Sequence, residues 1–333
     1  MIYDFLQLAT RNKLNLPYHF PEIFSIFPTM KFGKLQDISS VNFQLPLNAA
    51  ETTRVLTKLP PSSSPTLYVG CTGWGMKEWV GTIYPTGSKP GDFLRHYTQQ
   101  FNTIELNTTH YRIPTLETVA KWKKAAKEDF HFCPKIPQSI SHSRDLGLSE
   151  GRIVTFCEAI QGLGQNLGYC FMQLAPYFGV DRLPILEKFL AYFPNHIPLA
   201  IEVRHESWFS TETKLNQLAT ILEEHKKAFV ITDVAGRRDV LHQRLTNEIA
   251  VIRFVGNDLH PSDYSRIDEW VLRLKEWFEK GLQAAYFFTH EPDNIKAPDL
   301  AKYLVDKAQA IMPTVQTRGP QENPPLDGQM SLF

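Results

Sequence analysis

Eight short runs of β-forming, mostly apolar residues recur along this chain, and their spacing constrains the fold more than any other feature. They are residues 67–71, 102–107, 130–135, 169–174, 198–204, 228–233, 250–255 and 284–290. Runs of this length and composition fit strands buried on both faces, as in parallel sheets. Their starts lie about 31 residues apart, close to the length of one strand–loop–helix unit. Helical patterns fill the intervals. Pro114 and Thr115 open a helix over residues 116–127 with Val119 and Trp122 on one face, and Pro184 is a first-turn proline ahead of Leu186, Phe189, Leu190 and Phe193. Asp263 or Ser265 caps a helix carrying Trp270, Leu274, Trp277 and Phe278, which Gly281 ends, and a last helix covers 298–311. Eight such units predict an α/β fold, a closed (β/α)8 TIM-type barrel over residues 67–312. An open doubly wound sheet is the alternative, disfavoured because no Gly-rich phosphate loop follows any strand.

The flanks read differently. Residues 1–66 lack strong periodicity and end in Leu59-Pro60-Pro61-Ser62-Ser63-Ser64-Pro65, the composition of an extension and linker. Residues 313–333 read as a flexible tail, poor in apolar residues until the last five. Hydrophobic residues at 43% predict a sizeable core. A net charge of zero excludes a globally basic nucleic-acid binder, while leaving a local basic cleft open. Cys71, Cys133, Cys157 and Cys170 form no C-x-x-C pair, which argues against a thiolate zinc site. With no signal-peptide pattern at the start and no apolar stretch of membrane-spanning length, the expected location is the cytoplasm.

Strand alternation points to the site. In the run 198–204, Leu199, Ile201 and Val203 share one face, and Ala200, Glu202 and Arg204 the other. In 102–107, Thr103, Glu105 and Asn107 oppose Ile104 and Leu106. The same reading puts Lys135, Gln173, Asp233, Arg253 and His290 at strand C-terminal ends, where barrel enzymes carry their chemistry. The expected ring holds the acids Glu105, Glu202 and Asp233 as catalytic candidates, and the cations Lys135, Arg204 and Arg253. Buried charges must be paired or used, so the ring is either a structural ion-pair network or a polar pocket. As a pocket it suits a substrate with hydroxyls and an anionic group, Arg holding the anion and a carboxylate acting as general base. Trp74, Tyr84 and Tyr111 are candidates to stack on a sugar or base, or else they pack loops. Glu105, Glu202, Asp233, His205 and His290 are suitable metal-ligand types, yet no H-x-H or H-E-x-x-H spacing occurs, and no cofactor is expected.

Several motifs in order resemble one family. Thr72-Gly73-Trp74, Tyr84-Pro85, Phe101 to Asn107, Tyr111-Arg112-Ile113-Pro114, Trp122, the run 130–135 and Ile140-Ser141-His142 look like those of the YecE-like proteins, domain of unknown function 72. Gln173-Leu174-Ala175-Pro176, Glu202-Val203-Arg204-His205, Trp208 and Asp233 continue the likeness, over about residues 67–310. The resemblance implies a TIM-type barrel and no established reaction, and it adds Arg112, His142 and His205 to the substrate-binding candidates. There are departures. His110 stands where the family usually has an aromatic residue, Arg253-Phe254-Val255-Gly256 lacks its usual His, and Phe288-Thr289-His290 replaces its usual Phe-Asn-Asn.

Met30-Lys31-Phe32-Gly33-Lys34-Leu35 resembles the beginning of relatives, which makes residues 1–29 an upstream extension. The alternative is a packed arm burying Phe20, Ile23, Phe24, Ile26 and Phe27. At the other end, Gln329-Met330-Ser331-Leu332-Phe333 resembles the peptide by which bacterial replication and repair proteins dock on the polymerase sliding clamp. Gln329, Met330, Leu332 and Phe333 would be the contacts, on a polar tether. The expected function is an enzyme acting on a small-molecule or nucleic-acid substrate and recruited to DNA by that tail. The alternatives are a non-catalytic ligand-binding or adaptor protein, and a sugar-phosphate isomerase or hydrolase unrelated to DNA.

Overall fold

The structure is a computed structural model that describes residues 33–321. Its strands are β1 (Thr66–Gly70), β2 (Thr103–Leu106), β3 (His131–Pro134), β4 (Cys170–Gln173), β5 (Leu199–Glu202), β6 (Ala228–Asp233), β7 (Ile249–Val255), β8 (Ala284–His290) and β9 (Gln316–Thr317). The first eight coincide with the eight runs read from the sequence, shorter by one or two residues at some ends, with β1 and β7 each beginning one residue earlier. The nine strands form a seven-stranded parallel sheet in the order β4-β5-β6-β7-β8-β1-β9 and a two-stranded parallel sheet, β2-β3. The protein is therefore a mixed α/β fold with a parallel sheet at its centre.

Hydrogen bonds cross both seams between the two sheets. At one, Glu105 N donates to Cys71 O at 3.0 Å, and the Asn102 side chain accepts from Val69 N and donates to Leu67 O. This approach requires Gly70, because a Cβ there would stand 2.1 Å from Thr103 O. At the other, Gly168 N donates to Phe132 O at 2.8 Å and Ile136 N to Phe171 O at 2.9 Å.

Alternation divides the buried residues by face. One face of the strands packs against the helices in two large clusters, built on residues such as Ile104, Ile252 and Trp270, or Met172, Leu186 and Phe189. The opposite, inner face carries one small cluster drawn from six strands: Cys133, Phe171, Ala200, Val230, Val251 and Tyr286 among others. The helices begin where their chemistry allows. Thr115 Oγ1 accepts from Thr118 N ahead of Leu116–Ala125. The long helix Pro261–Glu279 starts at its proline behind a His260 cap, earlier than Asp263 or Ser265 would have set it. No helix among the described residues is long and apolar enough to cross a membrane.

Two flanking segments read as linker and tail prove to be pinned to this body. Phe43 O accepts from Arg238, Leu45 N donates to Glu269, and Thr52 is buried between Gln243 O and Leu245 N. At the other end, β9 pairs with β1, and Arg318 donates to Phe101 O at 2.8 Å and bonds Asp129. The body thus runs through residue 321. Residues 1–29, with the arm proposed for them, and Gln329, Met330, Leu332 and Phe333 lie outside the described residues.

Candidate functional site

The C-terminal ends of the strands bring eight of the expected residues into one hydrogen-bonded cluster. Six of them sit on the inner face because they follow the small inner cluster at even spacing: Cys133 then Lys135, Phe171 then Gln173, Ala200 then Glu202 and Arg204, Val251 then Arg253, Phe288 then His290. Arg253 is the spar. From β7 its Nε and one terminal nitrogen donate to Glu105 on β2 at 2.8 and 2.9 Å, and the other donates to Glu202 on β5 at 2.7 Å. Glu202 also accepts from Arg204 Nε at 3.0 Å and, on both oxygens, from Gln173 Nε2 at 3.0 Å. Glu105 accepts from Asn107 Nδ2 at 3.0 Å and lies 2.9 Å from His290 Nε2. The Phe171 ring underlies both Arg253, at 5.4 Å, and Lys135, at 5.5 Å.

Lys135 differs from the other cations. Its Nζ donates to Gln173 Oε1 at 3.0 Å, and among the described residues it forms no ion pair. Gln173 cannot turn to offer anything else, since its amide nitrogen is bound to the Glu202 carboxylate. The result is a buried ammonium facing a neutral amide oxygen.

The electrostatics follow from this geometry. Burial alone would raise the Glu202 carboxyl, but Arg253 and Arg204 outweigh it and bring it down to about 2. Burial likewise opposes Glu105, yet Arg253 and His290 hold it well below the ordinary carboxylate range. Burial, then Arg253, depress the Lys135 amine to about 8 against the pull of Glu105 and Glu202. Burial also lowers His290, against Glu105. An ionised Glu105 can only accept, so His290 Nε2 carries the proton toward it and Nδ1 is the basic atom of the neutral ring. At the rim, His142 lies with its ring centroid 5.5 Å from that of His110, and burial and the His110 charge bring it down to about 4.

Other expected residues lie elsewhere. Asp233 does not join the ring. Its carboxylate faces the helix layer, where it accepts from Arg266 at 2.9 Å and Trp270 Nε1 at 2.8 Å and pairs with Arg238. The inner residue of β6 at that level is Thr232, one place earlier, and its buried Oγ1 has no hydrogen-bond partner among the described residues. Thr232 escaped the sequence reading because β6 ends in two adjacent polar residues. The signal that identifies it is the pair Ala228 and Val230, which shares its face and joins the inner cluster. Tyr84 is not a substrate platform: it is fully buried against Trp79 and Phe93, with its hydroxyl on Trp74 O. Trp74 is half-buried, edge-on to Trp122. His205 turns away to bond Ser207 and cap the turn Glu206–Trp208. Tyr111 and Arg112 are exposed, Tyr111 lying edge-on to His110. No group of three or more His, Cys, Asp or Glu side chains among the described residues is placed to hold a metal. The physical reason at the ring is that Glu105 and Glu202 are already engaged by Arg253.

The molecule thus belongs to the class of parallel-stranded α/β proteins that gather polar residues at the C-terminal ends of their strands. Residues 68–324 match the family model described as protein of unknown function DUF72, and the chain belongs to that family. It is 28% identical over 285 residues to the UPF0759 protein YecE of Escherichia coli K12, covering 80% of this chain and 100% of that protein. It is 27% identical over 151 residues to the UPF0759 protein YunF of Bacillus subtilis, covering 43% and 52%. A DUF72 family protein from Enterococcus faecalis superposes with a TM-score of 0.59 at 21% identity, over 79% of this chain and 100% of that one. One from Thermotoga maritima gives 0.54 at 24% identity, over 74% and 99%. These likenesses of structure bear on the fold.

Proposed function

We propose that the eight strands close as a (β/α)8 barrel and that the polar cluster at its mouth is the pocket of an enzyme acting on an anionic substrate. The hydrogen bonds across both seams support closure. The observation that carries the functional reading is the Thr232 hydroxyl, buried with no partner beside the Arg253 strand. An unpaired buried group costs about 1–3 kcal/mol, a cost that the structural cluster around Arg266 also carries at its Nε; at Thr232 a ligand oxygen held by the neighbouring Arg253 strand would satisfy it. Among the described residues of the cluster, Lys135 in its charged form, Arg204 and Arg253 face the two carboxylates Glu105 and Glu202, a balance that suits a carboxylate or phosphate.

In this reading Glu105 and Glu202, held ionised, frame Arg253 and do not exchange protons near neutral pH. His290 Nδ1, oriented through Glu105, is the general base. The test is incubation of the protein with a pool of anionic metabolites, followed by mass spectrometry. Consumption of one compound, lost in His290→Asn with the melting temperature retained, is the expected result. Binding without chemical change would make the protein a binding module instead. Recruitment to DNA rests on the C-terminal residues alone. A peptide of residues 320–333 is expected to bind a bacterial sliding clamp with about −8 kcal/mol, and no binding at a hundredfold excess over that affinity would end that part of the reading.

A further inference from the structure

We propose that Lys135 Nζ is a nucleophile that forms a Schiff base with the carbonyl carbon of a substrate carrying a carboxylate or phosphate group. This rests on the reading of the same cluster as an anion-accepting enzyme pocket and names the bond it makes. Three features of the geometry set Lys135 apart. It is the ring's one lysine, set at the C-terminal end of β3 and 8% exposed. Its amine faces the amide oxygen of Gln173 at 3.0 Å, and that oxygen is fixed because the Gln173 nitrogen is bound to Glu202. Both carboxylates in reach of the cluster are already engaged: Glu105 by Arg253, His290 and Asn107, and Glu202 by Arg253, Arg204 and Gln173. An ammonium in this setting gains little from its charge. Desolvation and the neighbouring guanidinium favour the neutral amine, the form that attacks a carbonyl.

The step balances without an oxidant or reductant. The amine lone pair forms the N–C bond as the C–O π bond breaks, and one amine proton passes to the carbonyl oxygen to give a carbinolamine. The second amine proton and the hydroxyl then leave together as water, giving the imine. His290 and His142, both depressed by burial and so neutral near pH 7, can relay these protons. The cations of the cluster hold the anionic group while the buried Thr232 hydroxyl offers a hydrogen bond to the substrate.

The full chain is incubated with glyoxylate, with glyceraldehyde 3-phosphate or with neutral glyceraldehyde, in the presence of sodium cyanoborohydride, and labelled lysines are located by peptide mass mapping. A single adduct on Lys135 is expected. It should form on the order of 10- to 100-fold faster than adducts on exposed lysines at pH 7, because more of the amine is neutral. Labelling should rise with pH and level off above about 8. With each rate taken relative to the same probe's labelling of exposed lysines, the two anionic probes should outpace glyceraldehyde, and the one with the larger ratio identifies the anionic group. In Lys135→Met the adduct disappears while the melting temperature is retained. Labelling spread evenly over exposed lysines with Lys135 unmodified overturns the proposal. Inorganic phosphate separates that failure from failure of the enzyme reading: if phosphate still raises the melting temperature and Arg204→Gln abolishes the rise, the anion pocket stands and the Schiff base falls.

Discussion

Two buried charge clusters lie back to back on the sheet, one on each face of β6 and β7. The outer one joins Asp233 and Asp263 to Arg266 and Arg238, two anions against two cations. Its carboxylates are saturated: Asp233 by Arg266, Arg238 and Trp270, and Asp263 by Arg266 and by both nitrogens Asn257 offers. The Arg266 guanidinium is sealed over the rings of Phe254 at 4.2 Å and Phe43 at 4.9 Å. The inner cluster has three cations against two carboxylates, a lysine facing an amide, and a threonine hydroxyl with no partner. Each cluster reaches solvent through a cation or a histidine, Arg204 and His290 on the inner face at 19% and 15% exposed and Arg238 on the outer at 22%, so exposure does not separate them. Charge balance marks a cluster that holds elements together. Excess charge marks one that is completed by something bound; an unpaired polar atom alone does not, because Arg266 Nε in the outer cluster is buried without a partner just as Thr232 Oγ1 is in the inner one.

The largest effects should come from deleting the cation at the heart of each cluster. Arg266→Met strands Asp233 and Asp263, and Arg253→Met strands Glu105 and Glu202. Breaking a buried pair from one side costs about 3–5 kcal/mol, so urea denaturation should show both variants destabilised by similar amounts. Here the clusters behave alike, because both are frameworks. A loss under about 1 kcal/mol for Arg253→Met would mean that the inner carboxylates are solvated and the framework description is wrong.

Acid should show a somewhat smaller effect. The Glu202 carboxyl sits at about 2 in the folded protein against an ordinary 4.5. Its folded value is depressed, so its contribution is fully present above about pH 4.5 and is lost as the pH falls toward 2. The size is about 3 kcal/mol. Asp233 is lowered too, by Arg266 and Arg238 against burial. Glu202→Gln should therefore flatten part, and only part, of the acid limb of the stability curve. An unchanged acid limb would show that Glu202 is not held ionised by its neighbours.

How these clusters were visible in the sequence differs in the same way. The inner one was legible because β3, β4, β5 and β7 each place a charged or amide residue two positions beyond a small or apolar one, and alternation carries the face across that step. The outer one was not. Asp233 adjoins Thr232, both suit a strand end, and the parity is decided by which of Ala228 or Phe229 the inner space can accommodate, a packing question. The inner space takes alanine there, and Phe229 packs outward among the helices. Between stacking on a substrate and packing a loop, Tyr84 could not be decided from sequence for a related reason: an aromatic residue in a loop looks available until the core around Trp79 and Tyr97 is assembled. The segment from Gly33 to Lys58 has no helical or strand period over most of its length. It is held by backbone carbonyls and single polar side chains, which leave no pattern to read.

Lys135→Met sharpens the contrast at intermediate scale. The Lys135 amine lies at about 8, below its ordinary 10.5. A depressed lysine burdens the fold where it must stay charged, below about pH 8, and that burden lifts as the pH rises toward 10.5. Wild-type stability should gain on the order of 1–3 kcal/mol across that window, whereas Lys135→Met should show no such rise and be at least as stable at pH 7. No comparable gain is expected from replacing a cation of the balanced outer cluster. A marked loss of stability in Lys135→Met would place the lysine in the framework after all.

The smallest change to stability should carry the clearest information about ligand. Thr232→Val keeps the shape of the side chain and removes only the hydroxyl. Since Oγ1 has no partner among the described residues, its removal should leave stability within about 1 kcal/mol of wild type, on the favourable side. If the inner cluster is completed by an anion, that anion loses a hydrogen bond of about 1 kcal/mol, and its affinity falls roughly five- to tenfold. Phosphate protection in thermal melts reads this directly, because a ligand of the folded state stabilises it by RT ln(1 + [L]/Kd). The expected pattern is an unperturbed or slightly higher melting temperature without phosphate and a reduced phosphate-induced rise. Equal protection in the two proteins would remove Thr232 from the binding surface and leave the excess positive charge as the feature that separates the inner cluster from the outer one.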